Sequence, residues 1–240
     1  MLIVKLGSTY PYLKNLFGDF DDWIILRSGG QRSDFKIVNP VNGEALPHPT
    51  DFAGIILTGS HAMVTDQEKW SKRVADWLLI VVENKIPVLG ICYGQQLLAQ
   101  ALGGRVDYNP NGMEFGTVEL RLTHSGMKNP LFRGVPSAFS VHVSHSQSVI
   151  KLPPQAELLA SSEKEPHQAF FLPPSSWGVQ FHPEFNEQIT GEYVRKFTDQ
   201  LQKEGQNVDL ILDNIQATPE SEKILKNFMK MISQRVFGAN

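Results

Sequence analysis

The stretch Lys85-Ile86-Pro87-Val88-Leu89-Gly90-Ile91-Cys92-Tyr93-Gly94-Gln95-Gln96-Leu97-Leu98-Ala99 restricts this chain more than any other. An apolar strand stops there, turns between two glycines and continues as a helix. The turn has the spacing of the G-x-S-x-G nucleophile elbow, with sulfur in place of oxygen, and presents its side chain above the end of a sheet. Glycine tolerates the tight backbone such a turn needs. A thiol at the start of the following helix also meets the positive end of the helix dipole, which favours the thiolate. The alternative is a buried structural cysteine behaving as a small hydrophobe. Such a residue gains nothing from Gly90 and Gly94, each of which weakens the interior of a strand or helix.

The chain around this turn has 240 residues, 41% of them hydrophobic, which is enough for one large α/β domain with a substantial core. Cys92 is the only cysteine. That excludes an intramolecular disulfide framework and argues against a cysteine-based zinc site, so a reducing compartment, the cytoplasm, is expected. The apolar start Met1-Leu2-Ile3-Val4-Lys5-Leu6 is too short for a signal peptide. No run approaches the ~20 residues of a membrane span, and a soluble protein with no membrane partner is expected. A formal net charge of −3 with interspersed signs leaves no basic stripe for nucleic acid.

The first half alternates strand and helix signals. Leu2 to Leu6, Trp23 to Leu26, Ile55 to Thr58 and Val88 to Cys92 read as short buried strands. Between the last two, Trp70, Val74, Trp77, Leu78 and Val81 form an apolar stripe at helical spacing. After Gly103-Gly104 the pattern turns β-rich, over Phe115 to Thr123, Phe139 to Val149 and Glu157 to Ser161. Trp177 to Phe181 is a further strand, followed by a helix marked by Ile189, Tyr193, Val194, Phe197 and Leu201. Thr218-Pro219 caps a last helix with the stripe Ile224, Leu225, Phe228, Ile232 and Val236, which Gly238 can stop. The expected fold is α/β: a doubly wound, mostly parallel sheet flanked by helices, with an antiparallel β portion and C-terminal helices. In such a sheet the site lies at the carboxyl ends of the strands, where Cys92 and the Thr58-Gly59-Ser60 turn both fall.

A cysteine nucleophile needs a base, and the base needs a group that fixes its ring. His182-Pro183-Glu184 offers both, because residues two apart on an extended segment share a face and Pro183 stiffens the backbone between them. His142 and His145 catch the eye as a metal pair. Three residues apart on a strand they face opposite ways, so no metal site is expected.

Gly90-Ile91-Cys92-Tyr93-Gly94-Gln95-Gln96-Leu97-Leu98 followed by Gln180-Phe181-His182-Pro183-Glu184 resembles the class I glutamine amidotransferases, which hydrolyse glutamine to glutamate and ammonia. The likeness runs from about Ile55 to Phe197 and is greatest to the glutaminase domain of GMP synthetase. It implies a flavodoxin-like fold, with an amidotransferase-like domain over 1–203 and a helical extension over 204–240 packed on it. It also implies roles. Cys92 would be the nucleophile, His182 the acid/base and Glu184 its orienting partner. The backbone N–H groups of Gly59 and Tyr93 would form the oxyanion hole, and Gln96 would bind the amino-acid end of the substrate, helped by backbone groups around Ser144, Ser146 and Gln147. No cofactor is implied.

The oxyanion turn, commonly Gly-Gly-Pro in relatives that feed a synthetase, here reads Gly59-Ser60-His61-Ala62-Met63. His61 is read as an exposed loop residue, with a pocket wall as the other possibility. No P-loop or ATP-pyrophosphatase signature follows the core. The ammonia would therefore pass to a separate synthetase subunit, or the protein is a free-standing hydrolase. A γ-glutamyl peptidase acting on γ-glutamyl amides or peptides is the alternative within the same chemistry; a non-enzymatic thiol sensor is one outside it, and it has no need of His182-Pro183-Glu184. The C-terminal helices either pack on the sheet, form a homodimer or dock a synthetase.

Overall fold

The computed structural model describes residues 1–237 of the chain. Its strands are β1 (Leu2–Val4), β2 (Lys36–Val38), β3 (Ile55–Leu57), β4 (Val88–Ile91), β5 (Arg105–Tyr108), β6 (Glu114–Leu122), β7 (Ala138–His145), β8 (Gln147–Lys151), β9 (Glu157–Ser161), β10 (Ala169–Leu172) and β11 (Ser176–Val179). The helices are α1 (Pro11–Phe17), α2 (Phe20–Ser28), α3 (Lys69–Glu83), α4 (Tyr93–Ala101), α5 (His124–Lys128), α6 (Glu187–Lys196), α7 (Thr198–Lys203), α8 (Val208–Asp213) and α9 (Pro219–Phe237).

The main sheet runs β2-β1-β3-β4-β11-β10-β9-β6-β7. It is parallel from β2 to β11 and antiparallel from β11 to β7, while β5 and β8 form a separate ribbon. The central strands are buried on both sides, as a parallel sheet covered by helices requires. Leu2, Val4, Ile55 and Leu57 face the core that α3 fills with Trp70, Val74, Trp77, Leu78 and Val81. Ile3, Ile56 and Leu89 face the opposite core, which α9 fills with Ile224, Leu225, Phe228 and Ile232. This alternation is what makes the sheet doubly wound.

Three expectations need correcting. Trp23 to Leu26 is not a strand but the body of α2. Asp19 caps that helix, and Asp22 returns the bond to the Asp19 backbone in a capping box. Phe20, Trp23 and Ile24 are thereby turned inward at helical spacing, and the strand beside β1 is Lys36–Val38 instead. The stretch Phe139 to Val149 is broken at Ser146 into β7 and β8, which belong to different sheets. The helix after His182 is interrupted at Phe197, which caps both α6 and α7. Strands β5 and β10 were not anticipated. Gly238 and the side chain of Val236 lie outside the described residues.

The carboxyl end of β1 is anchored by buried charge. Lys5 Nζ donates to Asp19 Oδ2 and to Asp21 Oδ1, both at 2.7 Å. Asp19 also accepts from the backbone N–H of Thr9, at 2.8 Å, and of Phe20. Burial pushes the Asp19 carboxyl up, but Lys5 and these N–H groups outweigh it and hold it below its ordinary value. The cluster fixes the loop after β1, which lies against the turn after β3: a Cβ on Gly7 would stand 2.8 Å from Ser60 Oγ. Removing one partner of a buried charge pair leaves the other unpaired. Lys5→Met is therefore expected to cost about 3–5 kcal/mol in urea unfolding. A loss under about 1 kcal/mol, the scale of an exposed pair, would mean the cluster is solvated.

Candidate active site

Cys92 ends β4 and caps α4 with φ 50° and ψ −106°, a left-handed conformation that is costly for any residue with a Cβ. The glycines on either side explain why it persists, and the reason is close approach rather than unusual torsion. A Cβ on Gly90 would lie 2.5 Å from the Gly94 carbonyl, and one on Gly94 would lie 2.7 Å from Leu57 Cβ and from the Leu57 carbonyl oxygen. The first turn of α4 can thus press onto β3 and β4, and the chain makes the turn at Cys92, the one residue between β4 and α4. The Cys92 N–H donates to the Val179 carbonyl at 2.8 Å, tying the elbow to β11. The side chain is 6% exposed, with Sγ 3.9 Å from the Ser144 carbonyl.

His182 follows β11 and is buried with Glu184. Its Nδ1–H donates to Glu184 Oε1 at 2.8 Å, its backbone N–H donates to the His142 carbonyl at 2.8 Å, and the Phe185 ring stacks on it at 4.0 Å. Ring orientation and tautomer are thereby fixed. Burial alone would push the His182 imidazolium down, but the Glu184 charge and then Cys92 outweigh it and hold the group well above the ordinary histidine value. A Cβ on Gly59 would lie 3.2 Å from His182 Cε1 and 3.9 Å from Cys92 Cβ, so the turn after β3, the elbow and the imidazole converge on one point.

Tyr93 is the first residue of α4, and its N–H belongs to the helical turn that has no intrahelical acceptor. Its side chain is held away from that point by a 2.8 Å bond between its hydroxyl and Ser71 on α3. Gly59 is steadied by Thr58, whose hydroxyl donates to the Gly59 carbonyl at 2.9 Å and accepts from the Leu6 N–H at 2.9 Å.

A narrow cavity of about 60 Å³ opens above Cys92, lined by Gln96, Ser144, Ser146, Gln147 and His182 among others. The Gln96 amide nitrogen donates to the Gln147 carbonyl and to Gln180 Oε1, each at 2.9 Å. Gln147 turns its side chain away from the cavity: Oε1 accepts from the Val64 N–H, and Nε2 donates to Thr65 Oγ1. His61 is on a loop and exposed, yet it is also a wall, stacked 4.3 Å from Tyr10 and 3.0 Å from the Tyr193 hydroxyl. His142 and His145 sit apart, the first beside Thr117 and the second bonded to Glu114, and no metal-binding cluster occurs among the described residues. Glu114 was not picked out from sequence, and Gln180 and Tyr193 were noted only within the His182 motif and the helix stripe, with no role at the site. A lone acid in the apolar run Met113-Glu114-Phe115 was the one local sign.

A family profile, glutamine amidotransferase class-I, matches residues 22–201. The chain belongs to the class I glutamine amidotransferases. A glutamine-hydrolysing GMP synthase of Aeropyrum pernix is 39% identical over 152 residues, covering 63% of this chain and 27% of that one. A glutamine-hydrolysing GMP synthase subunit of Methanococcus vannielii is 32% identical over 161 residues, covering 67% of this chain and 79% of that one. The chain spans about a third or less of the length of three of the GMP synthases that it matches. A glutamine amidotransferase structure from Thermotoga maritima superposes with a TM-score of 0.72 over 98% of this chain and 96% of that one, at 24% identity, and so shares the fold.

In this amidotransferase the elbow depends on two positions where no methyl group fits. Gly94→Ala is expected to destabilise the protein by about 1–3 kcal/mol in urea titration, because the obstacle is backbone and cannot swing aside. A neutral result would show that α4 can lift from β3 without penalty.

Proposed function

We propose that this amidotransferase hydrolyses the γ-carboxamide of glutamine to glutamate and ammonia through Cys92, His182 and Glu184. The observation that carries the reading is the convergence of a strained, helix-capping thiol with an imidazole whose far nitrogen is held at 2.8 Å by a buried carboxylate. The Cys92 thiolate attacks the γ-carbonyl carbon. The N–H groups of Gly59 and Tyr93 take the developing oxyanion, the interaction that usually contributes most in acyl transfer. The C–N bond breaks as the His182 imidazolium gives its proton to the leaving nitrogen, and a γ-glutamyl thioester remains. A water molecule then transfers a proton to His182 and its oxygen attacks the thioester; the thiolate leaves, and glutamate is released.

We take ammonia rather than a bulky amine as the leaving group. Turnover of glutamine against γ-glutamyl peptides tests this directly. We place the use of the ammonia on a separate synthetase subunit, a reading supported by a relative that is named as a subunit of a GMP synthase. No described helix is long and apolar enough to cross a membrane, which is compatible with work in the cytoplasm.

Cys92→Ala and His182→Asn are expected to lower ammonia release by about 1,000-fold or more, as loss of a triad member does in related chemistry. Unchanged turnover in Cys92→Ala would eliminate the mechanism. The thiolate–imidazolium pair is lost when His182 gives up its proton as pH rises, and Glu184 is the main group delaying that loss. Glu184→Gln should therefore move the alkaline limb of kcat/KM to lower pH. A limb that stays in place would mean Glu184 does not act through the imidazole.

A further inference from the structure

A second histidine–carboxylate pair lies in the cavity wall. His145 Nε2 is 3.0 Å from Glu114 Oε2, and His145 Nδ1 is 3.1 Å from the Gln147 carbonyl oxygen. Both partners only accept, so both ring nitrogens carry protons and His145 is an imidazolium. Burial would push that charge down, but the hydrogen bond and charge of Glu114 outweigh it and raise the group. Glu114 is itself held by Ser162 Oγ at 2.6 Å and Gln168 Nε2 at 2.7 Å. His145 cannot pass protons to the cavity, since both its nitrogens are committed.

What the pair does control is polarity. A side-chain amide can sit either way round, and only its partners decide which. The Gln147 carbonyl accepts from Gln96 Nε2, which also donates to Gln180 Oε1. Gln180 Nε2 at the far end is buried without a partner. The row therefore contains two reversible amides and one group that cannot reverse, the Gln147 carbonyl. Gln147 is anchored twice: its side chain is tied to Val64 and Thr65, and its carbonyl is aimed by the His145 Nδ1–H. With that carbonyl fixed, Gln96 must offer its nitrogen inward. Its Oε1, which has no hydrogen-bond partner among the described residues, is left as an acceptor on a residue lining the cavity.

We propose that Glu114 and His145 are positioning residues forming a buried strut that, through the Gln147 carbonyl, fixes Gln96 as an acceptor and so selects ligands carrying an α-ammonium group. The proposal rests on the γ-glutamyl reading of the cavity but not on turnover. It predicts discrimination between L-glutamate, which has the α-ammonium, and glutarate, which lacks it.

Cys92 is the only thiol, so its alkylation by iodoacetamide reports occupancy of the cavity by either acid. L-Glutamate is expected to half-protect Cys92 at a concentration about tenfold lower than glutarate, the scale of one hydrogen bond to a charged group. In the double variant Glu114→Gln/His145→Gln, which removes both members of the pair together, the ratio should fall to near one. Glu114→Gln alone removes the carboxylate that keeps both His145 nitrogens protonated, and the ratio should fall part of the way towards one. Nitrogen NMR of the unaltered protein gives a readout that does not depend on a variant folding: both His145 ring nitrogens should remain protonated through neutral pH. A ratio near one in the unaltered protein, a ratio kept by the double variant, or a neutral His145 each overturns the strut. If the ratio behaves as expected but neither glutamine nor any γ-glutamyl amide is turned over, the strut stands and the hydrolytic reading fails.

Discussion

The contact on which the site depends is the one between the first turn of α4 and strands β3 and β4. Gly90 and Gly94 admit an approach that any Cβ would block, against backbone and Leu57. The elbow's torsional cost falls on Cys92, at φ 50°. Packing on both faces of the sheet holds that geometry in place, because α3 and α4 close one core and α9 the other. If the helix relaxed away from the strands, Cys92 could return to an ordinary torsion and its sulfur would leave the point on which Gly59 and His182 converge.

Two buried histidines each pair with a carboxylate here, and the pairs differ in what faces the second ring nitrogen. His182 gives one nitrogen to Glu184 and turns toward Cys92, so a proton on the other can be exchanged in the cavity. His145 gives one nitrogen to Glu114 and the other to a carbonyl, so its protons are structural. Ion pairing alone separates neither role. The partner of the remaining nitrogen does, and that partner is set by the fold.

Features carried by short sequence distances were legible before any coordinates. The elbow occupies five residues, His182 and Glu184 are two apart, and the α3 stripe repeats at helical spacing. Where two local signals competed, the reading failed: Trp23-Ile24-Ile25-Leu26 looks like a buried strand, and the capping box at Asp19 and Asp22 overrides it. β2 is three residues long, and β5 and β10 four each, too short for a clear alternation. Glu114 stayed hidden because its partner is 31 residues away and the pairing exists only once β6 and β7 are in register. The same holds for Gln180, which meets Gln96 across 84 residues.

Strand β11 is the joint between the parallel and antiparallel halves, hydrogen-bonded to β4 on one side and β10 on the other. It also delivers His182, so Cys92 and His182 are brought together by a strand pairing that spans more than a third of the chain. Long-range parallel pairing is slow to form, since loop closure must precede the contacts that reward it. On the ribosome the thiol therefore emerges well before the imidazole exists. A chain interrupted anywhere short of β11 carries Cys92 without His182. The geometry of the proposed site thus arrives with the last strand to be synthesised, and the order of translation itself keeps it incomplete until then.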